Sequence, residues 1–379
     1  MFEREVVYHR SLHRQVAGPI GRFVDTEELW NSLLRRGIRR PAFRLVRAGS
    51  TVERTGITRR AGFGNRSLDD VVDPNRVIKR YRDGDTVVLQ GLHHTDPHLA
   101  RLANNLALDL DQPIQINAYL SPPGERGLDV HFDYHDVFVV QVTGSKRWRI
   151  WEPLESTSNP VKGRHSIASP SLQELGEPRL DLTLRAGDVL YLPRGFPHLA
   201  ESLDEPSDHL TIGLVALTWQ AVVRKAVDAE VAAGRLSAPL PVGMLDPLAG
   251  TNAALDSSLG LDGLRGQLSP DVFRHWLARE VWRRQPATRL RPRCRPELGR
   301  SALEFTPGPL LWLTSVADRA ILGLGDRLLD MPLEAFGFLA QMFDTTGAFR
   351  ADELVGLDTG SRNVVLSRLL SEGVIAHVG

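Results

Sequence analysis

The sequence predicts an α+β protein in which a barrel or sandwich of short strands is followed by helices and then by a small mixed terminal domain. Three observations lead there. From Pro113 to about Leu217 the chain breaks into eight short strand-like runs separated by Gly and Pro turns, the mark of a β-sandwich or barrel. After Trp219, apolar residues recur at three- and four-residue intervals, the spacing of helices. The final eighty residues return to strands and then helices, in the order of a winged helix.

Taken in chain order, DTEELWNSLLRRG is a helix that Asp25 caps and Gly37 ends. RRPAFRLVRAG is strand and turn, and DTVVLQGL is a β-branched strand. Asp96-Pro97 then opens the amphipathic helix HLARLANNLALDL as cap and first residue. The barrel strands are PIQINAYLSP, LDVHFDY, DVFVVQVTG, KRWRIWEP, LDLTLRAG, DVLYLPRG, HLAESL and DHLTIGLVAL. Beyond them, WQAVVRKAVDAEVAAGRL is helical, a Pro/Gly passage (APLPVGMLDPLAG) interrupts, and SPDVFRHWLAREVWRR is a helix with Ser269 as cap. The segment Arg283–Arg300 holds seven arginines and three prolines and reads as a solvated linker or edge strand. PLLWLTS and RAILGLGD are strands, PLEAFGFLAQMF, ADELVGL and SRNVVLSRLLSEG helices, and VIAHV a last strand. The expected boundaries are 1–217 for the barrel with its scaffold, 218–290 for a helical segment and 291–379 for the terminal domain.

Composition bounds the function. The chain has 379 residues, 42% hydrophobic and 24% charged, which excludes disordered, collagen-like and disulfide-scaffold classes. Lys plus Arg equals Asp plus Glu at 46 each, so no global field draws it to nucleic acid or an anionic membrane. A lone cysteine, Cys294, forms no internal disulfide and fits a reducing, cytoplasmic compartment. The N-terminus lacks the apolar core of a signal peptide, and no run reaches the roughly 18 apolar residues of a membrane helix. Only four of the 46 basic residues are lysines: Lys79, Lys146, Lys162 and Lys225.

Two His-x-Asp triplets occur, His94-Thr95-Asp96 and His131-Phe132-Asp133. Asp96 is accounted for as a helix cap. His131 and Asp133 lie in a strand-like run, where residues i and i+2 share a face and are able to share one ion. A third ligand must come from another strand, and His198 is the candidate. Two imidazoles and one carboxylate make a facial triad that leaves open positions, the donor set of non-haem Fe(II) oxygenases.

INAYLSPPG, HFDYHDVFVVQVTGSKRWRIW and GDVLYLPRGFPHLAES closely resemble the JmjC-type, cupin-fold 2-oxoglutarate oxygenases, in particular the ribosomal oxygenase branch. The resemblance is strongest over residues 85–217. It implies a double-stranded β-helix, a jelly roll, with His131, Asp133 and His198 as Fe(II) ligands, 2-oxoglutarate as cosubstrate and O2 as oxidant. It also implies a helical dimerisation segment, a homodimer, and a C-terminal winged-helix-like domain.

Lys146 shares a strand face with Trp148 and Ile150. A buried ammonium needs an anion, and in the resembled family this position holds the residue that binds the 5-carboxylate of 2-oxoglutarate. Gln115, Asn117 and Tyr119 form a polar row opposite apolar Ile114, Ile116 and Leu120. By resemblance Asn117 and Tyr119 are near the cosubstrate, although a buried tyrosine with a satisfied hydroxyl is the alternative. Thr211 is a further pocket candidate. His135 reads as substrate-facing or as support for the ligands, and Asp136 and Arg147 as groups that orient ligands or substrate.

The expected function is hydroxylation of a protein or peptide side chain, with arginine or histidine of a large-subunit ribosomal protein as the client that the resemblance implies. Alternatives are the tailoring of a peptide natural product, a cupin isomerase or dioxygenase that uses no 2-oxoglutarate, and a non-catalytic cupin with a DNA-binding winged helix. Histone demethylation is disfavoured because no reader module accompanies the barrel. The terminal helix SRNVVLSRLL carries only Arg362 and Arg368, too few for a strong phosphate footprint.

Overall fold

A computed structural model of the chain describes residues 7–9, 26–35, 38–47, 49–51, 56–154, 169–234, 266, 268–285, 302–305, 311–316, 318–324, 327–345 and 347–378. Asp25, Gly37, Cys294, the Pro/Gly passage at 238–250 and residues 286–300 of the arginine-rich segment lie outside the described residues. The chain divides into two compact units, residues 1–106 with 114–216 and residues 107–113 with 217–379.

The first unit opens with β1 (Val7–His9), the helix Thr26–Arg35, β2 (Phe43–Arg47), β3 (Ser50–Thr51) and a hairpin of β4 (Thr58–Phe63) and β5 (Arg66–Val72). The helix Pro74–Arg82 is capped by Asp73, whose side chain accepts from the amides of Asn75 and Arg76. After β6 (Thr86–Leu89) comes the helix Pro97–Leu110, and Asp96 caps it by accepting from the amides of His98 (2.9 Å) and Leu99 (3.1 Å). The carboxylate of the first His-x-Asp triplet is therefore occupied by the backbone.

The barrel strands are β7 (Ile114–Ser121), β8 (Asp136–Thr143), β9 (Ser145–Ile150), β10 (Leu180–Arg185), β11 (Val189–Leu192), β12 (His198–Ser202) and β13 (Ser207–Leu214). They form an eight-stranded sheet ordered β1-β11-β8-β13-β7-β6-β2-β3 and a three-stranded sheet ordered β10-β9-β12. All of their ladders are antiparallel. Isolated bridges Arg126↔Glu201 and His131↔His198 add a fourth line to the smaller sheet. From β8 onward the chain crosses repeatedly between the sheets, with β8, β11 and β13 in the larger and β9, β10 and β12 in the smaller, a jelly-roll path. Between them pack Val137, Val139, Trp148, Ile150, Leu184, Leu190, Leu192 and Phe196, each large side chain contributing about 1.5–3 kcal/mol by leaving water. In β7 the period of two is plain: Ile114, Ile116, Ala118 and Leu120 are buried, while Gln115, Asn117 and Tyr119 on the opposite face are half-buried.

Gly144 alone links β8 to β9. Its φ is +66° and a Cβ there would overlap the Pro206 carbonyl oxygen, so both conformation and space require glycine. The turn at Arg185–Asp188 is closed by Asp188, whose carboxylate accepts from the Arg185 amide at 2.9 Å.

In the second unit the helix Trp219–Ala232 starts at Thr218, whose hydroxyl accepts from the Ala221 amide. The helix Pro270–Trp282 begins after Ser269. Then come β14 (Leu303–Phe305), β15 (Leu311–Val316), β16 (Arg319–Leu324), β17 (Arg327–Pro332), the helices Ala335–Asp344 and Thr359–Glu372, and β18 (Ile375–His377). Strand β14 pairs with β18, and β15-β16-β17 form a meander. Phe338, Leu339, Met342, Leu366, Leu369 and Leu370 are central to this unit's core. Among the described residues no helix is long and apolar enough to cross a membrane.

Four readings of the sequence need correction. LDVHFDY is not a ladder strand: it pairs only through single bridges, at Leu128 and His131. ADELVGL forms turns, because Glu353 turns back to accept from the Arg350 amide and Gly356 has φ +105°. Ser269 stands at the cap position without a side-chain cap bond. The β4–β5 hairpin and β17 were not anticipated, since neither carries a clear alternation of apolar and polar residues.

Candidate metal centre

The site begins with the backbone. His131 and His198 face each other across the bridge, with the His198 amide donating to the His131 carbonyl (2.8 Å) and the reverse bond at 3.2 Å. This pairing sets the two rings 4.3 Å apart. Asp133 follows two residues on, its carbonyl accepting from the Gly195 amide (2.9 Å) and its Oδ2 lying 3.9 Å from His198 Nε2. The ligating atoms of His131, Asp133 and His198 all lie within 4.8 Å of one another. Among the described residues they form the one such cluster of three or more.

The outer nitrogens fix the tautomers. His131 Nδ1 bonds the Asp129 carbonyl at 2.7 Å and His198 Nδ1 bonds the Phe196 carbonyl at 3.0 Å. A carbonyl only accepts, so each Nδ1 carries the proton and each Nε2 presents its lone pair, the arrangement that supports metal-bound histidine. Burial, reinforced by His131, pushes His198 down to about 4, so the imidazole is neutral at physiological pH. A donor set of two imidazoles and one carboxyl group suits a divalent transition metal.

A cavity opens beside the triad, with about 530 Å³ of empty space when the open solvent at its mouth is counted. Lys146 is one wall. It is 2% exposed, and its Nζ donates to Ser121 Oγ at 2.7 Å and lies 3.5 Å from His209 Nδ1. Both partners are neutral groups. Burial pushes the Lys146 ammonium down to about 7, only partly opposed by Asp208; burial likewise raises the Asp208 carboxyl to about 6. An ammonium in this position is incompletely compensated and favours an anionic ligand.

A family profile described as "JmjC domain" matches residues 92–222. The chain carries a JmjC domain. The bifunctional lysine-specific demethylase and histidyl-hydroxylase NO66 of Dictyostelium discoideum is 34% identical over 160 residues, which cover 41% of this chain and 30% of that protein. Ribosomal oxygenase 1 of Gallus gallus is 45% identical over 97 residues, 25% of this chain and 16% of that one. The chain thus spans less than a third of the length of these curated relatives. Among solved structures, the ribosomal oxygenase YcfD from Escherichia coli covers 99% of this chain and 95% of its own, with a TM-score of 0.58 and 18% identity, a likeness of fold. Another YcfD structure, with the same TM-score, contains cobalt and 2-oxoglutarate.

The remaining candidates of the JmjC domain separate by strand parity. Tyr119 and Thr211 line the cavity. Tyr119 is pushed up by burial and by the Asp133 charge, with Arg44 opposing. Asn117 faces the same way but does not line the cavity; its Oδ1 accepts from the Gly91 amide (3.0 Å) and from Gln115 Nε2 (3.2 Å), bracing the left-handed turn at Gly91. His135 packs over Gly213, where any Cβ would overlap its ring, and lies outside the cavity wall. Arg147 is on the outward face of β9, paired with Asp181 at 2.8 Å, because it is odd where Lys146 and Trp148 are even. Asp136 accepts from the Arg194 amide at 2.8 Å. Neither Arg147 nor Asp136 lines the cavity.

Sequence reasoning missed four contributors. Thr86, Ser121 and Gly127 have no motif of their own; Thr86 and Ser121 hold Lys146 through a hydroxyl chain, Thr86 Oγ1 donating to Ser121 Oγ at 3.3 Å, and Gly127 packs against Thr86. His209 was findable. It stands two residues before Thr211 on one strand, so the parity that nominates Thr211 nominates it too.

Proposed function

We propose that this protein is an Fe(II)- and 2-oxoglutarate-dependent oxygenase that hydroxylates a side chain of a protein or peptide. The observation that carries the reading is the meeting, in one cavity, of a His-Asp-His cluster with free Nε2 lone pairs and a buried lysine whose partners are neutral. His131, Asp133 and His198 would hold the iron, which supplies oxygen activation coupled to the oxidative decarboxylation of 2-oxoglutarate. The balance is 2-oxoglutarate, O2 and a client C–H giving succinate, CO2 and a client C–OH. Lys146 neutralises the far carboxylate of the cosubstrate, and the Asp129 and Phe196 carbonyls hold both imidazoles in the ligating tautomer. Val137, Val139, Trp148 and Leu192 form an apolar wall that keeps the reaction from water.

A ribosomal protein is the favoured client, because relatives at 34–45% identity are named for histidyl hydroxylation or as ribosomal oxygenases. Of arginine and histidine, histidine fits better: among the residues lining the cavity the single carboxylate is Asp133, already a ligand, whereas a guanidinium calls for a free one. A homodimer is supported by the helix Trp219–Ala232, where Trp219 (74% exposed), Val223, Val227 and Val231 make an open apolar stripe at four-residue spacing. The β15–β17 meander with the helices Ala335–Asp344 and Thr359–Glu372 supports a winged-helix-like domain. A nucleic-acid role is disfavoured: on its last helix Arg368 pairs with Glu372 at 2.7 Å and Arg362 is half-buried. The proposed compartment is the cytoplasm.

The test is an anaerobic titration of 2-oxoglutarate into the Fe(II)-loaded protein, followed by succinate release and a search for one-oxygen mass increments in ribosomal proteins. Wild type develops a saturable charge-transfer band and turns over, and Asp133→Ala does neither. Full turnover by Asp133→Ala would overturn the site assignment.

A further inference from the structure

Resting on the cosubstrate reading above, we infer that His209 is a second donor to the far carboxylate of 2-oxoglutarate, working beside Lys146 to select a dicarboxylate. His209 is 3% exposed and lines the cavity. Its ring lies flat on Tyr119, with centroids 4.8 Å apart and planes at 2°, and edge-on to Trp148 at 5.6 Å. The two aromatic contacts leave it little freedom to rotate. Its Nδ1 is 3.5 Å from Lys146 Nζ. Where an anionic ligand holds Lys146 as an ammonium, that group has three N–H donors and no lone pair, so Nδ1 is the acceptor and the proton of the neutral ring sits on Nε2. Among the described residues Nε2 is not an unpartnered atom sealed from solvent, and the ring's contact with Lys146 is made at Nδ1. It therefore presents an N–H to the cavity.

The strand register places this donor. His209 pairs with Tyr119 on one side and Gln141 on the other, so it comes from the larger sheet, whereas Lys146 comes from the smaller one. A carboxylate drawn to Lys146 Nζ meets His209 from the opposite wall. A monocarboxylate has nothing to offer at this end.

The experiment compares wild type with His209→Phe, which keeps the flat ring but has no N–H, and His209→Gln, which restores a donor. Each metal-loaded protein is titrated without oxygen by calorimetry with 2-oxoglutarate and with 2-oxopentanoate, which has the same carbon chain but lacks the far carboxylate. Loss of a hydrogen bond to a charged group predicts binding of 2-oxoglutarate about 10- to 100-fold weaker in His209→Phe, partial recovery in His209→Gln, and no change in 2-oxopentanoate binding. In zinc-substituted wild type labelled with 15N-histidine, the Nε2–H resonance of His209 shifts on adding 2-oxoglutarate and stays in place with 2-oxopentanoate. Equal weakening of both ligands, or no weakening, overturns the role of His209, as does an Nδ1–H tautomer. A wild type that binds neither ligand overturns the cosubstrate reading itself, a different result.

Discussion

Lys146 is held at a cost, and the cost has a measurable pH signature. Burial lowers its pKa from 10.5 to about 7, so between those values the unfolded chain binds a proton that the folded one lacks. The destabilisation is complete below pH 7 and is relieved as pH rises toward 10.5. The shift of about 3.5 units corresponds to about 5 kcal/mol at 1.36 kcal/mol per unit. Lys146→Met keeps the bulk and removes the charge, but forfeits the bond to Ser121, which returns about 1.5–3 kcal/mol. The metal-free, ligand-free variant is therefore expected to be more stable than wild type by about 2–3 kcal/mol at pH 6.5. At pH 9 only about 2 kcal/mol of the penalty remains, and the two proteins converge. Urea unfolding of both at the two pH values measures the difference, which also shows as about 2–4 °C in Tm per kcal/mol. Saturating 2-oxoglutarate should stabilise wild type and leave the variant unchanged. A variant no more stable than wild type at pH 6.5, or a gap that does not narrow by pH 9, would refute the reasoning.

Two other perturbations follow from the same structure. Gly144→Ala forces a Cβ onto the Pro206 carbonyl at φ +66°, and should cost about 2–4 kcal/mol in thermal unfolding and, by displacing β9, most of the 2-oxoglutarate affinity; an unchanged Tm would show that the turn relaxes freely. His93 is 3% exposed and is pushed down to about 4 by burial and then by His94, below its unfolded value, so its stabilisation is full above pH 6.5 and is lost as pH falls through 4. Relative to His93→Gln, wild type should lose about 2–3 kcal/mol between pH 7 and 4.5, and parallel stability curves for the two proteins would contradict this.

Much of the barrel was legible because its strands obey a period of two. Ile114, Ile116, Ala118 and Leu120 point one way and Lys146, Trp148 and Ile150 share an inward face, as alternation requires. The single-glycine turn and the Asp96 cap were legible for local reasons, one of backbone conformation and one of unsatisfied amides. The segment around His131 was not. It is held by single bridges, from Leu128 back to Gly49 and from His131 to a residue 67 positions later, and nothing local distinguishes that from a ladder strand. The hairpin β4–β5 failed for a similar reason, since most of its residues are polar or exposed on both faces.

Parity within a strand is written in the sequence, but register between strands is not, and the site is made of register. Opposite β9, His198 pairs with Ile150, Ala200 with Trp148 and Ser202 with Lys146. The lysine is thus four residues along the strand from the candidate metal ligand His198, about 13 Å at 3.3 Å per residue, and its side chain reaches part of the way back. A slip of one residue would turn Lys146 to solvent and bring Arg147 inward; a slip of two would keep the parity and displace the ammonium by roughly 7 Å. What prevents either is remote from the chemistry: the Gly144 turn, the Arg147–Asp181 pair on the outer face and the buried Ile150 and Leu184 at the core. Arg147 therefore contributes to the site without touching it, as a charge that keeps β9 in register with its outward face in water.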